Sequence, residues 1–352
     1  MSPAAFRTGL EAAAISAAAL VLTLAAFGAF VALFGVDPFA VYYALYLGAF
    51  ATQVSIESTL TQAAPLMLTA LCVAIPARAG LLVIGGEGAL VMGGLATVLV
   101  GIHLDSVPPA LGVGILGLVG MVAGGFWIAA AGALRQVRGV NETISTLLMN
   151  YIAIALLNHL VSGPIRDVSR VLKSSSWSVP ETLRVGTVPG LDVHWGLAVG
   201  AIACLVFYVV MRRTTFGFAV DVLGGNPRAA QMVGLPIDRM VLASCLFGGA
   251  MAGLAGTMEV IAVHGFASDS LVVRYGYAGI LIAFLARHNP LAVIAVAVLV
   301  GGISASGGLL QRRFGLPDAT TSVLQGMLFI VVLASNACYG RLRFLQLKPR
   351  EV

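Results

Sequence analysis

The chain has 352 residues, of which 59% are hydrophobic and 10% are charged, and its formal net charge is +5 at pH 7. Soluble domains carry roughly a quarter charged residues, so this composition excludes an ordinary soluble protein. It indicates an all-helical integral membrane protein, because helices satisfy their own backbone hydrogen bonds where water is absent. The basic residues are scattered at loop ends, which favours a role in membrane orientation over nucleic-acid binding.

Apolar stretches near 20 residues long can cross a hydrocarbon core of about 30 Å as helices. Apolar length and breaking residues predict ten spans, at about 14–36, 58–78, 82–102, 108–134, 142–162, 193–211, 240–262, 275–287, 290–308 and 320–338. With the N-terminus in the cytoplasm, thirteen of the 20 Lys and Arg residues fall on the cytoplasmic side, as the positive-inside rule requires. The even number of spans places the C-terminus there too, and 1–352 is predicted to form a single transmembrane domain.

Two segments between the predicted spans have a distinctive composition, one aromatic and the other polar. An aromatic-rich segment between the first two spans suits a helix along the membrane interface or an aromatic belt, and its residues are Phe39, Tyr42, Tyr43, Tyr46 and Phe50. The segment 163–192 is the longest polar stretch on the predicted outer side. It is expected to form an extracytoplasmic loop that can meet an outside partner.

The first polar feature inside a predicted span is Glu87, which Gly85, Gly86 and Gly88 surround in the sequence GLLVIGGEGALVMGG. An acidic residue at mid-helix costs about 2.5–3.5 kcal/mol on insertion scales, so a cavity, a helix N-terminus or a bonded partner is expected beside it. Clustered glycines allow a helix to break beside a substrate path. The alternative is that Glu87 caps a helix at the membrane surface and the glycines serve helix packing.

The second polar feature is GVNETISTLLMNY, which opens the predicted span at 142–162 with several polar side chains. Asn141 is expected to cap the helix, and Glu142 is favoured by the positive helix end. Asn150 and Asn158 lie deeper, eight residues apart, and are predicted to share one side of the helix. They either line a polar path or bond to neighbouring helices.

Two further residues are candidates for the same path. Glu259 follows a small-residue face in GLAGTMEVIAVHG and lies one turn from the predicted outer end, where it can also reach water. Gln325 lies in the last span and is a weaker candidate, since an amide there commonly bonds to another helix.

The segment 212–240, RRTTFGFAVDVLGGNPRAAQMVGLPIDRM, is polar, basic and punctuated by glycine in an otherwise apolar chain. Such a segment must lie in water. Its turn and its small-residue step are typical of a short helix pressed against a partner, and we predict a docking loop for a motor subunit. The residues concerned are Gly225, Asn226, Pro227, Ala229, Ala230 and Gly234.

Signatures of enzymes and of metal sites are absent from the sequence. Lys173 and Lys348 are the two lysines, and neither completes a P-loop, so ATP and Mg²⁺ are not expected to bind here. The five histidines lie far apart, and no HExxH or GxSxG motif occurs. The cysteines Cys72, Cys204, Cys245 and Cys338 stand singly in apolar stretches and are predicted to be core residues. No catalytic residue, metal or cofactor is predicted.

Five segments in register resemble the inner-membrane permease subunits of ATP-binding-cassette (ABC) importers, in the branched-chain amino-acid/ribose group and its simple-sugar/nucleoside branch. They lie at 80–94, 139–151, 214–236, 246–260 and 276–294. The resemblance implies a type II-like permease of about ten helices that forms half of a pore. It also implies three partners: a second homologous permease, a cytoplasmic ABC ATPase that hydrolyses ATP, and an extracytoplasmic substrate-binding protein.

Carried over residue by residue, the resemblance assigns Gly225, Asn226, Ala229, Ala230 and Gly234 to the loop that family members seat in the ATPase. The family commonly has an asparagine in its first glycine-rich motif, where this chain reads Val83-Ile84-Gly85-Gly86-Glu87-Gly88. The resemblance favours nucleosides as substrate and a heterodimeric permease pair. A ribose-like sugar is the first alternative, and an ion-coupled secondary transporter using Glu87 and Glu259 is the rival from another class.

Overall fold

The computed structural model describes residues 3–169 and 174–336, with side chains described from Ala18 to Ser335 outside that gap. Helices make up 77% of the structure, and the described residues form no strand beyond isolated single-residue bridges. The helices are α1 (Pro3–Ala32), α2 (Pro38–Phe50), α3 (Gln53–Arg78), α4 (Gly86–Gly101), α5 (Pro109–Arg138), α6 (Glu142–Ser162), α7 (Gly196–Arg213), α8 (Thr215–Gly225), α9 (Pro227–Met232), α10 (Ile237–Met258), α11 (Tyr275–Leu285), α12 (Pro290–Ala305), α13 (Gly307–Phe314) and α14 (Ala319–Asn336).

Every predicted span falls on a helix, which confirms the all-helical, multi-pass prediction. Within the described residues, six helical stretches are long and apolar enough to cross a membrane by length and composition. They are Gln53–Arg78, Pro109–Arg138, Glu142–Ser162, Gly196–Arg213, Ile237–His264 and Pro290–Phe314.

Two predicted spans contain helices that are shorter than the predicted segments. The span at 82–102 starts with non-helical residues, and α4 has 16 residues, which at 1.5 Å per residue extend about 24 Å. The span at 275–287 contains α11, with 11 residues and a length of about 17 Å. It ends early because Arg287 and His288 adopt left-handed backbone conformations, with φ of 51° and 55°. Both helices are shorter than the hydrocarbon core.

The chain forms two compact units, and the larger contains Ile56–Gly302. In this unit α4, α5 and α10 pack through glycines. A Cβ atom on Gly253 of α10 would overlap the carbonyl oxygen of Gly120 on α5, and one on Gly93 of α4 would overlap the backbone of Gly253. The backbones therefore approach closely, as small residues permit between membrane helices.

The smaller unit contains Met1–Ser55 and Ile303–Val352, and its described part comprises α1, α2, α13, α14, the first residues of α3 and the last residues of α12. Its core includes Phe27, Val31, Val41 and Leu310. The predicted aromatic segment forms α2, which Asp37 caps by accepting a hydrogen bond from the Phe39 N–H at 3.0 Å. Phe39, Tyr43, Tyr46 and Phe50 are exposed, as an interfacial helix requires.

The segment 163–192 is irregular where it is described, apart from a single 3₁₀ turn at Glu181–Leu183. Its backbone binds the stretch after α10 through three hydrogen bonds. They join Val185 N–H to Ile261 O (3.0 Å), Val179 N–H to Gly265 O (2.8 Å) and Ser176 N–H to Ala267 O (2.9 Å). Trp177 keeps 52% of its surface exposed. That the loop is extracytoplasmic stays a prediction.

Candidate translocation pathway and coupling segment

The connection between α3 and α4 interrupts the membrane-embedded helices. Residues 81–84 are not helical, and Gly85, the N-cap of α4, offers no side chain to accept from the free N–H groups of that helix. Unpaired backbone groups are costly away from water. Partners for this stretch must therefore come from another helix.

The partners are polar side chains of α6, four residues apart and thus on one helix face. Their oxygen atoms accept hydrogen bonds from three N–H groups of the α3–α4 connection and the first turn of α4. The pairs are Glu142 with Leu82 (3.3 Å), Thr146 with Ile84 (3.1 Å) and Asn150 with Gly88 (2.7 Å). We call Glu142, Thr146 and Asn150 the α6 ladder. The ladder accounts for three of the polar side chains at 139–151, Glu142, Thr146 and Asn150.

Asn150 also donates from Nδ2 to the carbonyl oxygen of Ile84 at 3.0 Å and to the Tyr277 hydroxyl at 3.4 Å. It is fully buried, so the structure favours bonding to neighbouring helices over lining a path. Asn158 is exposed, and the expectation that the two asparagines share one side of α6 is wrong. At about 100° per residue, eight residues rotate the side chain by about 80°.

Glu87 lies in the first turn of α4 and is fully buried. Its two carboxylate oxygens accept hydrogen bonds from the backbone N–H groups of Arg274 and Gly276, each at 2.7 Å. These groups open α11, whose N-cap Arg274 provides no side-chain cap and has a left-handed φ of 66°. Glu87 thus caps α11 from α4, and its negative charge lies at the positive ends of two helices.

Glu142 and Asn141 stand where α6 begins. Asn141 Oδ1 accepts from the N–H groups of Thr143 (2.9 Å) and Ile144 (3.3 Å), so the predicted N-cap is confirmed. Glu142 also forms an ion pair with Arg135 at the end of α5. Both residues therefore have structural partners, and a pathway role for them stays a prediction.

Glu259 is 3% exposed and begins a π-helical turn, Glu259–His264, that continues α10. Its carboxylate lies 3.6 Å from His264 Nε2. The alternative of a side chain reaching to water is therefore wrong, because burial closes that route. Single π-helical turns are frequent at functional sites, so Glu259 remains a predicted pathway residue.

Gln325 is partly buried in α14 and donates from Nε2 to the Ser304 hydroxyl at 2.8 Å. This contact is the helix–helix hydrogen bond that the sequence offered as the alternative. Of the predicted pathway residues, the structure joins Glu87, Glu142 and Asn150 in one network through residues 82–88. Glu259 lies outside this network, beside His264.

The predicted docking loop, which we call the coupling segment, consists of α8 and α9 and the turns around them. Asn226 caps α9 by accepting from the N–H groups of Arg228 (3.0 Å) and Ala229 (3.2 Å), and Pro227 occupies the first helical position. Ala230 is the buried residue of α9. Gly234 closes the segment with a φ of 75°.

Two large apolar side chains at the end of α9 face outward. Met232 is 85% exposed and Val233 is 73% exposed. The neighbouring Arg228 and Gln231 are exposed as well. A short helix with an uncovered apolar tip is typical of a helix that fits into a groove of another protein.

The base of this coupling segment is fixed to α3. Arg78, in the last turn of α3, binds Asp221 of α8 with two hydrogen bonds, and Nε donates to Oδ1 at 2.8 Å. A Cβ atom on Gly224 would overlap the carbonyl oxygen of Arg78, so α8 lies directly against the end of α3. The side chain of Arg78 is 19% exposed and that of Asp221 is 47% exposed, so the two-point geometry, more than burial, distinguishes this pair from an ordinary surface ion pair.

Sequence reasoning missed Arg78, Asp221 and Tyr277 as parts of these arrangements. Arg78 and Asp221 are 143 residues apart, and each alone resembles an ordinary loop charge. The ladder left a usable signal, because Glu142, Thr146 and Asn150 repeat every four residues. That repeat predicts one polar face aimed at a single neighbour.

Burial, and to a smaller extent the charge of Arg78, lower the pKa of His288 in the α11–α12 loop. Cys72, Cys204 and Cys245 are buried free thiols, and Cys338 lies outside the described residues. No group of three His, Cys, Asp or Glu side chains in the described part is placed to hold a metal ion.

Comparisons with known proteins agree with this architecture. The family described as the branched-chain amino acid transport system, permease component, matches residues 55–333. The glucose ABC transporter permease protein TsgB13 of Haloferax volcanii is 32% identical over 86% of this chain and 82% of its own length.

Two further relatives carry names that refer to nucleosides. The guanosine ABC transporter permease protein NupP of Bacillus subtilis is 29% identical over 91% of this chain and 92% of its own. The nucleoside ABC transporter permease protein NupB of Lactococcus lactis is 25% identical over 85% of this chain and 84% of its own. These matches, with the many apolar helices, make the chain a multi-pass inner-membrane protein, and it belongs to the permease component family of branched-chain amino acid type transport systems.

Proposed function

We propose that this chain is one of two membrane-spanning subunits of an ATP-driven importer whose substrates are nucleosides. A separate cytoplasmic ATPase binds ATP and Mg²⁺ and seats α8 and α9. A second homologous permease completes the pore, and an extracytoplasmic binding protein delivers the substrate. The chain itself supplies half of the path and the coupling segment.

The observation that carries the proposal is the exposed tip of α9 on an anchored base. Met232 and Val233 are exposed, whereas the Arg78–Asp221 pair and the Gly224 contact hold α8 against α3. A mobile loop would move without displacing the membrane helices, whereas an anchored helix transmits to them a displacement caused by a partner. This arrangement supports force transfer from an ATPase to the membrane helices.

The route of this transfer follows described contacts. Arg78 ends α3, the α6 ladder holds the connection that follows it, and Glu87 joins the start of α4 to the start of α11. The two short helices that meet at Glu87 are suited to shift against each other, because broken helices flank the substrate path in transporters. ATP binding and hydrolysis on the partner would bias two arrangements of the permease pair.

The substrate proposal is supported by the relatives named for guanosine and for nucleosides. A simple sugar is the second candidate, because the relative named for glucose is 32% identical. Near the α4–α11 junction Tyr277 and Asn150 are uncharged, and both oxygens of Glu87 accept from backbone N–H groups, which suits a neutral solute of either class.

The test is uptake of labelled adenosine by cells with and without this gene, with and without ATP depletion, and with an excess of unlabelled nucleosides or ribose. Gene-dependent, ATP-dependent uptake that nucleosides block and ribose does not is the expected result. Uptake of glucose or ribose alone would replace the nucleoside proposal with the sugar one. Uptake that follows the ion gradient and ignores ATP would overturn the importer proposal.

A further inference from the structure

The π-helical turn that continues α10 holds a buried carboxylate beside an imidazole. Glu259 is 3% exposed, and His264 Nε2 lies 3.6 Å from its carboxylate. That distance is too long for a hydrogen bond. His264 Nε2 has no hydrogen-bond partner among the described residues, and in the same part of the chain no hydrogen bond to the Glu259 side chain is formed. We call these two side chains the carboxyl–imidazole pair.

A comparison with Glu87 shows what this pair lacks. Both oxygens of Glu87 accept hydrogen bonds from backbone N–H groups, each at 2.7 Å. A buried carboxylate without such donors costs free energy. The acceptor capacity of Glu87 is therefore used by the protein itself, whereas that of Glu259 is left for donors on a bound molecule.

The carboxyl–imidazole pair adjoins the junction of the two short helices. The phenol of Tyr275, the first residue of α11, interacts electrostatically with the carboxylates of both Glu87 and Glu259. Broken helices of this kind flank the substrate path in transporters. The side chain of His264 is 23% exposed, so the pair has one edge from which a solute can approach.

The backbone that presents the pair is fixed on its predicted outer side. Gly265 ends the π-helical turn with a φ of 75°, and a Cβ atom there would overlap the guanidinium of Arg184. Val185 and Val179 of the segment 163–192 donate backbone hydrogen bonds to the carbonyl oxygens of Ile261 and Gly265. The predicted extracytoplasmic loop therefore holds the turn at the side from which a substrate would enter.

We propose that the carboxyl–imidazole pair binds the adjacent 2′- and 3′-hydroxyl groups of a ribose as a nucleoside passes, an inference that rests on the proposed function. The two oxygens of a carboxylate can accept from two neighbouring hydroxyl groups, and an acidic residue on a ribose hydroxyl recurs in dinucleotide-binding proteins. His264 Nε2 can donate to or accept from the same hydroxyl groups. Since Glu259 is 3% exposed here, the ribose reaches it in another of the arrangements through which the permease pair passes.

The experiment compares the maximal rates of ATP-dependent uptake of labelled adenosine and labelled 2′,3′-dideoxyadenosine by cells that contain the complete transporter. Both solutes are supplied at saturating concentration, so the binding protein is fully loaded with either and the ratio of the two rates reports on the permease. Uptake by cells without this gene is subtracted, and rates are normalised to the amount of permease in the membrane. The test variant is Glu259→Gln, and the control is Glu181→Gln, an exposed acidic residue of the segment 163–192.

The wild type and Glu181→Gln are expected to take up adenosine at least about 10-fold faster than the dideoxy analogue, because a site built for hydroxyl groups rejects a solute that lacks them. Glu259→Gln should slow adenosine and leave the analogue unchanged, which reduces the ratio several-fold. A wild type that does not distinguish the two solutes, or a Glu259→Gln protein that keeps the wild-type ratio, would overturn the inference. A purely structural role of Glu259 gives the second result, since it slows both solutes equally.

The outcomes separate this inference from the function on which it rests. If the wild type shows no ATP-dependent adenosine uptake, the proposed function fails and the ribose site fails with it. If adenosine uptake is ATP-dependent but the ratio is the same in Glu259→Gln, the ribose site alone is overturned. Should Glu259→Gln fail to reach the membrane, His264→Ala is measured in the same way, and an unchanged ratio in that variant overturns the site.

Discussion

The carboxylate of Glu87 accepts a hydrogen bond at 2.7 Å from the backbone N–H of Gly276, 189 residues further along the chain. This contact joins the starts of two helices that are each too short to cross the membrane. A Cβ atom on Gly276 would overlap the backbone of Glu87, so glycine is required for the approach. The buried carboxylate therefore has a structural role, which is to hold the start of α11 against the start of α4.

Glu87→Gln is expected to weaken the junction, because an amide offers one acceptor oxygen where the carboxylate offers two. The loss is expected to be about 1.5–3 kcal/mol, the range for a hydrogen bond to a charged group. The thermal unfolding midpoint of the purified chain measures it. Because we propose that Glu87 holds a helix junction and does not carry a proton, adenosine uptake by this variant should remain ATP-dependent and insensitive to a protonophore. Loss of an ion-gradient dependence in this variant would instead support the secondary transporter.

Asn150→Leu and Asn158→Leu form a matched pair on one helix. Asn150 accepts from Gly88 and donates to Ile84, whereas Asn158 is exposed. Leucine at 150 leaves buried backbone groups of the α3–α4 connection unpaired, at about 1–3 kcal/mol. Leucine at 158 should be close to neutral. Asn150→Leu should unfold at a lower temperature than Asn158→Leu. Equal unfolding midpoints would contradict the hydrogen bonds of the α6 ladder.

Gly120→Ala and Gly114→Ala test the close packing of α5. A Cβ atom on Gly120 would overlap the Thr257 hydroxyl and lie 3.0 Å from Gly253 O, while one on Gly114 meets nothing within 4 Å. Overpacking at 120 should cost about 1–3 kcal/mol. Alanine at 114 should be neutral or stabilising by up to about 1 kcal/mol, because glycine weakens a helix. A stable Gly120→Ala protein would show that α5 and α10 lie further apart.

His288 should make the stability of the protein fall as the pH is lowered. Its pKa is lowered in the folded state, first by burial and then by the charge of Arg78. The unfolded side chain, with a pKa of about 6.5, binds its proton more readily, so stability is complete above that pH and is lost as the pH falls through the folded pKa.

In His288→Asn the decline of the unfolding midpoint between about pH 7.5 and 5.5, either side of the unfolded pKa, should be shallower than in the wild type. It should not vanish, because burial also lowers the pKa of His194. The same decline in both proteins would show that His288 does not contribute to the loss of stability at low pH.

The sequence predicted the helical architecture because apolar length and breaking residues report on each span locally. It also predicted the cap at Asn141, since a cap acts within three residues. It could not show that Glu87 caps α11 or that Arg78 binds Asp221, because these partners are distant in the chain. The broken helix α4 was suggested by its glycines, whereas the early end of α11 depends on the backbone of Arg287 and His288.

The most direct test of the account is the coupling segment in the complete transporter. Asn226→Ala removes the α9 cap, at about 0.5–2 kcal/mol, and Asn226→Asp retains it. Gly225→Trp adds bulk at a position where a Cβ atom meets nothing within 4 Å, so a clash with a docked partner is the expected effect. Labelled adenosine uptake and substrate-stimulated ATP hydrolysis are measured for all three, with membrane insertion as the control. We predict loss of both activities in Asn226→Ala and Gly225→Trp, with Asn226→Asp active. Normal uptake and ATP hydrolysis in the first two variants would contradict the docking of α9 on an ATPase.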